Sequence, residues 1–363
     1  MQKKLMAIAV AGALSVPAVA LAQASTVQIY GLLKVEYGYA DQPNDATGAA
    51  RHNIDAQNSG AGSHIGFRGE EKLGGGISAW FQCESEMRFT HVTSTTAQGF
   101  CGRNTALGLK GGFGNVFFGK WDSPLKQAVG KTRMLNETGW MGAQHMLLTG
   151  EFMDFSQRNS NSVNYVTPNF GGFMANAQYT TTNPAVDELS SVAEAKGRKV
   201  SLGGIYSGGP LVITAGWAKH DDNQSVGGAA GDEDTAWAIG ATYTFGPVKA
   251  GLTYTDQELE VGPDSLKRKS WNAALDWRIA GPHMVRFGYT SAGDYKGSLG
   301  ASDTGADQWQ VGYHHFLSKR TNLGVSYVRV NNDSAGSYNL TGLSNDVLGD
   351  DASVFVFHMY HRF

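Results

Sequence analysis

The chain has 363 residues and a nearly balanced charge of −3, from 29 Lys and Arg against 32 Asp and Glu. That balance leaves no basic footprint, so no nucleic-acid partner is expected. Beyond the first two dozen residues no segment approaches the ~18 consecutive apolar residues of a spanning helix, which excludes a transmembrane helix from the mature chain.

The first stretch, "MQKKLMAIAVAGALSVPAVALAQA", has a basic start at Lys3 and Lys4, an apolar run, and small residues spaced for cleavage. It reads as a secretory signal over residues 1–22, with cleavage after Ala22 or after Ala24 both compatible. Loss of those two lysines takes the mature balance from −3 to −5. Glycine supplies 48 residues, about twice the usual ~7%, and no Ser/Gly linker or charge block divides the rest. Residues 23–363 are therefore expected to form one large domain.

From there the repeated signal is alternation. "VQIYGLLKVEYGYA" sets Val27, Ile29, Leu33, Val35, Tyr37 and Tyr39 on one face, with Lys34 and Glu36 on the other. "ISAWFQCESEMRF" sets Ile77, Ala79, Phe81 and Cys83 against Ser78, Gln82, Glu84 and Glu86. "WAIGATYTF", "WNAALDWRI" and the closing "FVFHMYHRF" repeat the pattern. Period two over about ten residues means strands with one apolar and one polar face. Cys83 and Cys101 flank "ESEMRFTHVTSTTAQGF", which reads as a hairpin tip. An exported chain permits a disulfide at its base, and two free thiols remain the other option.

Tight connections recur at 73–76, 110–114, 169–172, 207–210, 245–247, 280–282 and 318–321. Long polar stretches alternate with them, at roughly 40–62, 90–102, 122–160, 180–198, 221–234, 258–269, 292–307 and 332–352. Seven turns and eight loops imply sixteen strands with both termini on the short-turn side. A soluble β-sandwich would bury the apolar faces against each other. A membrane barrel turns them outward and keeps the polar face for a lumen. The charges on the polar faces and the short-turn, long-loop asymmetry favour the barrel. Closure would pair the first strand with the last, because lipid tolerates no open edge. The expected fold is an all-β, 16-stranded antiparallel transmembrane β-barrel.

The segments "VQIYGLLKVEYGY", "SHIGFRGEEKLGGGISAWFQCE", "RNTALGLKGGFGNVFFGKWDSP", "RNSNSVNYVTPNFGGF" and the end "YHRF" span the whole chain. Together they resemble the trimeric general porins of Gram-negative bacteria, of the β-proteobacterial and neisserial type. The resemblance implies a homotrimer in the outer membrane, in contact with lipid and lipopolysaccharide. It also implies a third loop folded into the lumen, and a terminal Phe363, with Tyr360 and His361 before it, that is read by the barrel-assembly machinery. The loop over 122–160 carries the apolar run "GWMGAQHMLLTGEFMDF", which suits a segment packed inside a barrel rather than waving in water.

A sixteen-strand barrel encloses water, so selectivity has to arise where the lumen narrows. Parity from Ile65 and Phe67 turns His64 and Arg68 inward; parity from Val163 and Tyr165 does the same for Arg158. Lys34, Lys249, Arg278 and Arg286 also fall inward. The resemblance implies a pore arginine near Arg103, but alternation with Leu107 and Leu109 turns that residue outward unless a bulge intervenes. Lys120 lies where Val116, Phe117 and Phe118 blur the parity. Opposite this basic wall the loop offers Glu137, Glu151 and Asp154. The expected device is a transverse field across a constriction, through which ions and small hydrophilic solutes diffuse; anion or cation preference stays open.

Two other classes of protein fit the sequence less well. An enzyme needs a nucleophile and a base in reach, yet no G-x-S-x-G, H-E-x-x-H or zinc-spaced Cys/His cluster occurs. His314 and His315 are neighbours on a strand and face opposite sides, so they cannot share one metal. No metal or cofactor is expected. An adhesin or purely structural barrel would use its outer loops, but would not need an apolar loop in the lumen. For trimer contacts the outward Ile29, Leu33, Phe355 and Phe357 are the candidates.

Overall fold

The computed structural model describes residues 27–41, 51–55, 62–87, 99–134, 142–150, 152–181, 197–221, 232–339 and 347–363. In chain order the first strands are β1 (Gln28–Asp41), β2 (Arg51–Asp55), β3 (His64–Gly74), β4 (Ile77–Glu86), β5 (Thr105–Gly111) and β6 (Gly114–Asp122). Two helices follow, α1 (Pro124–Thr132) and α2 (Ala143–Leu148). Then come β7 (Arg158–Val166), β8 (Phe173–Thr180), β9 (Arg198–Gly208), β10 (Leu211–Asp221), β11 (Glu233–Phe245) and β12 (Val248–Val261). The last are β13 (Asp264–Ala280), β14 (His283–Ala292), β15 (Ala306–Phe316), β16 (Thr321–Asn332) and β17 (Ala352–Arg362).

All seventeen strands belong to one antiparallel sheet that closes on itself. They make sixteen staves, because β2 and β3 share one: both pair with β1, at Glu36↔Asp55 and at Leu32↔His64. The seam between β1 and β17 runs from Leu32↔Arg362 to Asp41↔Ser353. It extends one pair further, since Gly31 and Phe363 exchange backbone hydrogen bonds of 3.1 and 3.2 Å. Only glycine fits there: a Cβ on Gly31 would lie 2.5 Å from the His64 carbonyl oxygen and 2.6 Å from the Phe363 ring. The ordered terminus follows from closure, which leaves no edge unpaired.

The two faces separate as the alternation predicts. On the seam Tyr37 and Phe357 are 53% and 48% exposed, whereas Glu36 and His358 are fully buried on the inner side. The outer face is an apolar band suited to hydrocarbon. All seven short turns occur at the expected places.

Two expected loops hold strand: β2 (Arg51–Asp55) lies inside the expected loop 40–62, and the expected loop 258–269 is almost all ladder. Residues 258–269 continue the ladder of β12 and β13 to Val261↔Asp264, and the chain reverses through Gly262 and Pro263. Opposite charges face each other along this extension; Glu258 pairs with Lys267, Nζ to Oε1 2.8 Å. A run of charges reads as loop until its cross-strand partners are known, and here they complement one another.

Candidate functional site: the loop-lined lumen

The third loop leaves β6 and turns inward. Ser123 caps α1, its Oγ accepting from the Lys126 N–H at 3.2 Å, with Pro124 in the first turn. Leu125, Ala128, Val129 and Thr132 form the buried face of α1. They meet an inner wall made small at that place, including Ala218, Ala236 and Ala238. At Gly216 a Cβ would come within 2.8 Å of the Leu125 Cα, so the helix backbone rests directly on the strand.

Polar wall residues fasten the loop backbone. Ser201 Oγ accepts from the Leu125 N–H at 3.1 Å, and Thr214 Oγ1 donates to the Ala128 carbonyl at 3.1 Å. Thr253 donates to Thr132 at 2.8 Å, and Thr255 to the Leu147 carbonyl at 2.8 Å. Gln257 donates to the same Leu147 carbonyl. Beyond α2, Arg268 donates to the Thr149 carbonyl at 2.9 Å and is gripped by Tyr295 and Tyr338. Met146 packs against Val328, Val330, Val354 and Val356, which point inward. These docking residues escaped the sequence reading. Their signal was present: "VSYVRV" and "SVFVF" are apolar on both faces, which marks a stretch covered on both sides.

The basic residues gather in two groups. In the first, Arg103 Nε donates to Glu84 Oε1 at 2.6 Å on the inner wall. Tyr30 donates to the other oxygen of Glu84 at 3.2 Å, and His64 Nε2 lies 3.9 Å from it. Arg68 stands over the Tyr30 ring at 5.0 Å and bonds Gln28 at 2.9 Å. The parity argument that turned Arg103 outward therefore fails. β5 begins only at Thr105, so Arg103 belongs to the bent segment before it and obeys no strand alternation. Cys83 and Cys101 are bonded as a disulfide at the root of that segment. Cys101 takes a left-handed backbone, φ 62°, with its N–H on Ser85 Oγ at 2.8 Å and its carbonyl accepting from Thr105 Oγ1 at 2.8 Å.

In the second group Asp122 is the hub. Lys126 Nζ lies 2.9 Å and Arg158 Nε 3.2 Å from Asp122 Oδ1, and Asn104 bonds both Asp122 (2.9 Å) and Arg158 (2.7 Å). Burial pushes the Lys126 ammonium down from the usual lysine value, with Asp122 opposing the shift. Simple parity does not reach Arg158, because Asn161 is left-handed (φ 51°) and the β6–β7 register shifts between Gly119 and Trp121. Asn159 turns inward instead, to Gln178 at 2.7 Å, and Arg158 is held by its partners. Lys120 sits within the shifted register, opposite Thr105.

Lys34 lies apart from both groups, on the seam, with Nζ 2.8 Å from Glu36 Oε1, which also accepts from Tyr360 at 3.0 Å. His361 faces the other way and bonds Thr321 at 2.9 Å. Asp154 is exposed on the loop and accepts from the Ser156 N–H at 2.9 Å. Glu137 and Glu151 lie outside the described residues. The described part of the loop also carries Lys126, Lys131 and Arg133, so it is not the purely acidic counter-wall that the sequence reading drew. Burial pushes the Arg133 guanidinium down to about 10.

A closed barrel with a polar inner face and a loop fastened inside is the architecture of a diffusion channel, and the sequence matches the Gram-negative porin profile over residues 7–335. The chain belongs to that family. This porin is 32% identical over 347 residues to outer membrane porin protein 32 of Delftia acidovorans, spanning 94% of this chain and 92% of the relative. It is 25% identical over 331 residues to the major outer membrane protein P.IB of Neisseria meningitidis, spanning 86% and 90%. Its fold superposes on the anion-selective porin from Comamonas acidovorans with a TM-score of 0.80 at 27% identity, covering 93% of this chain and all of the other. The porin is thus an outer-membrane β-barrel forming a passage for passive diffusion.

Proposed function

We propose that this porin passes small hydrophilic solutes and prefers anions, with the preference set where loop 122–160 faces the Arg103 and Arg158 groups. The observation that carries this reading is the fastening of the loop to the inner wall by Ser201, Thr214, Thr253, Thr255, Gln257 and Arg268. A loop so held narrows the lumen permanently, and the charges around it act on every ion that passes. Arg68, Arg103, Arg158, Lys120, Lys126 and His64 supply the positive side; Lys34, paired within the wall, contributes less field. Asp154, and from the sequence Glu137 and Glu151, supply the opposing carboxylates. The anion-selective title of the Comamonas relative supports the sign.

The same reading takes residues 1–22 as an export signal and 23–363 as the single mature domain. It takes the exposed band around Ile29, Phe355 and Phe357 as surface for lipid or a neighbouring copy in a trimer, and Phe363 with Tyr360 and His361 as the assembly signal. Catalysis has no place in it, and an adhesin would gain nothing from a loop docked inside. The test is a planar bilayer with a salt gradient. Discrete current steps and an anion-side reversal potential are expected. Arg158→Ala should move that potential toward cations; a silent bilayer would sink the channel, and a cation-side potential the preference.

A further inference from the structure

Toward the short-turn end, the inner wall and Met134 of the docked loop surround a cavity of about 350 Å³. Six cationic side chains line it: Lys34, Arg278, Arg286, Lys319, Arg320 and Arg362. They come from β1, β13, β14, the β15–β16 turn and β17, so only the closed barrel assembles them. No Asp or Glu is among the lining residues. Two of the six are neutralised from within the wall: Lys34 by Glu36 at 2.8 Å, and Arg286 by both oxygens of Asp276 at 2.7 and 2.9 Å. Arg278 lies over the Phe316 ring at 5.1 Å. Among the described residues Arg278, Lys319, Arg320 and Arg362 form no ion pair with a carboxylate.

Four like charges converging on one hollow repel one another; Asp276, already paired with Arg286, reaches Arg278 only through its field. Guanidinium forks suit oxyanions, which they engage through two parallel hydrogen bonds. A singly charged ion would neutralise a small part of the excess. A compact anion bearing several charges would satisfy all four donors at once. The cavity has room for two linked phosphate or carboxylate groups together with water.

We propose that this cavity is a binding site for compact, multiply charged oxyanions at the periplasmic mouth, distinct from the Arg103 and Arg158 groups. It gathers such anions at one end of the pore. Because it lies toward the short-turn end, its occupancy answers to the periplasmic solution first. The site rests on the channel reading only for its electrical readout.

The probe is pyrophosphate. Calorimetry on the full-length protein in detergent at low salt should show binding, weakened about tenfold or more by K319Q/R320Q in the exposed turn and by Arg278→Gln on the wall. In a bilayer with channels inserted in one direction, pyrophosphate on the short-turn side should reduce current at lower concentration than pyrophosphate on the loop side. No binding by the wild type, or unchanged affinity in both variants, overturns the site. Equal block from the two sides puts the anion at the narrowing and overturns it as well. A silent bilayer would count against the channel alone, since calorimetry decides the site without it.

Discussion

Arg268 holds Thr149: its guanidinium, buried in the wall of β13, donates to that carbonyl at 2.9 Å just past the end of α2. Two tyrosines from the segments after β14 and β16, Tyr295 and Tyr338, grip the same guanidinium. Arg268 is thus one of the side chains that fix the later part of the loop. Arg268→Ala should loosen it, at a cost of about 1.5–3 kcal/mol for the lost charge-assisted bond. Larger and noisier single-channel steps are expected, with the barrel intact by circular dichroism. Steps identical to wild type would show that the other fastenings suffice.

The Cys83–Cys101 disulfide closes a short loop and anchors the segment that carries Arg103 and Asn104. Such a link constrains the opened chain by about 3 kcal/mol in the loop-entropy account. Reduction, or Cys83→Ser with Cys101→Ser, should free Arg103 from Glu84. The reversal potential should then move in the same direction as in Arg103→Gln. A reduced channel with unaltered selectivity would mean that Glu84 and the backbone bond to Arg103 hold the segment unaided.

Lys126 gives a pH signature. Its ammonium is buried beside Asp122 and loses its proton below the usual lysine value of 10.5. For a base with a lowered value, the charge is complete below that value and disappears as pH rises through it. Anion preference should thus begin to fall on the alkaline side before free lysines titrate. Lys126→Gln should shrink that early part of the curve; reversal potentials measured from neutral to alkaline pH would show whether it does.

Phe363 completes the seam through its paired bonds with Gly31. Deleting it removes that pair and the ring that covers Gly31. Synthesis should be unaffected while the fraction recovered in the outer membrane falls several-fold. Equal recovery of the truncated and full chains would remove Phe363 from the assembly signal.

Much of this molecule is local in origin. The period-two pattern on β1, β4, β11, β13 and β17 is visible in single segments, because each strand meets lipid on one side and water on the other. The seven short turns are equally local, since Gly, Pro and Ser set the backbone there. Strand number, closure and the need for an ordered terminus follow from those two signals. Residues 258–269 mark the boundary of that logic: their charges look like loop alone and become ladder beside their partners.

The sequence by itself determined that the chain is a sixteen-stave barrel and, for most strands, which face meets lipid. Only the tertiary structure decided how the lumen is furnished. Arg103 reaches Glu84 from a bent segment, Arg158 is held beyond an interrupted register, and Lys126 joins them from the loop. Each position depends on groups far away in the chain, tied by hydrogen bonds, an ion pair or a disulfide rather than by alternation. The docking of α1 and α2 is of the same kind, because its partners are small or hydroxyl-bearing wall residues whose role appears only when the barrel is closed around them.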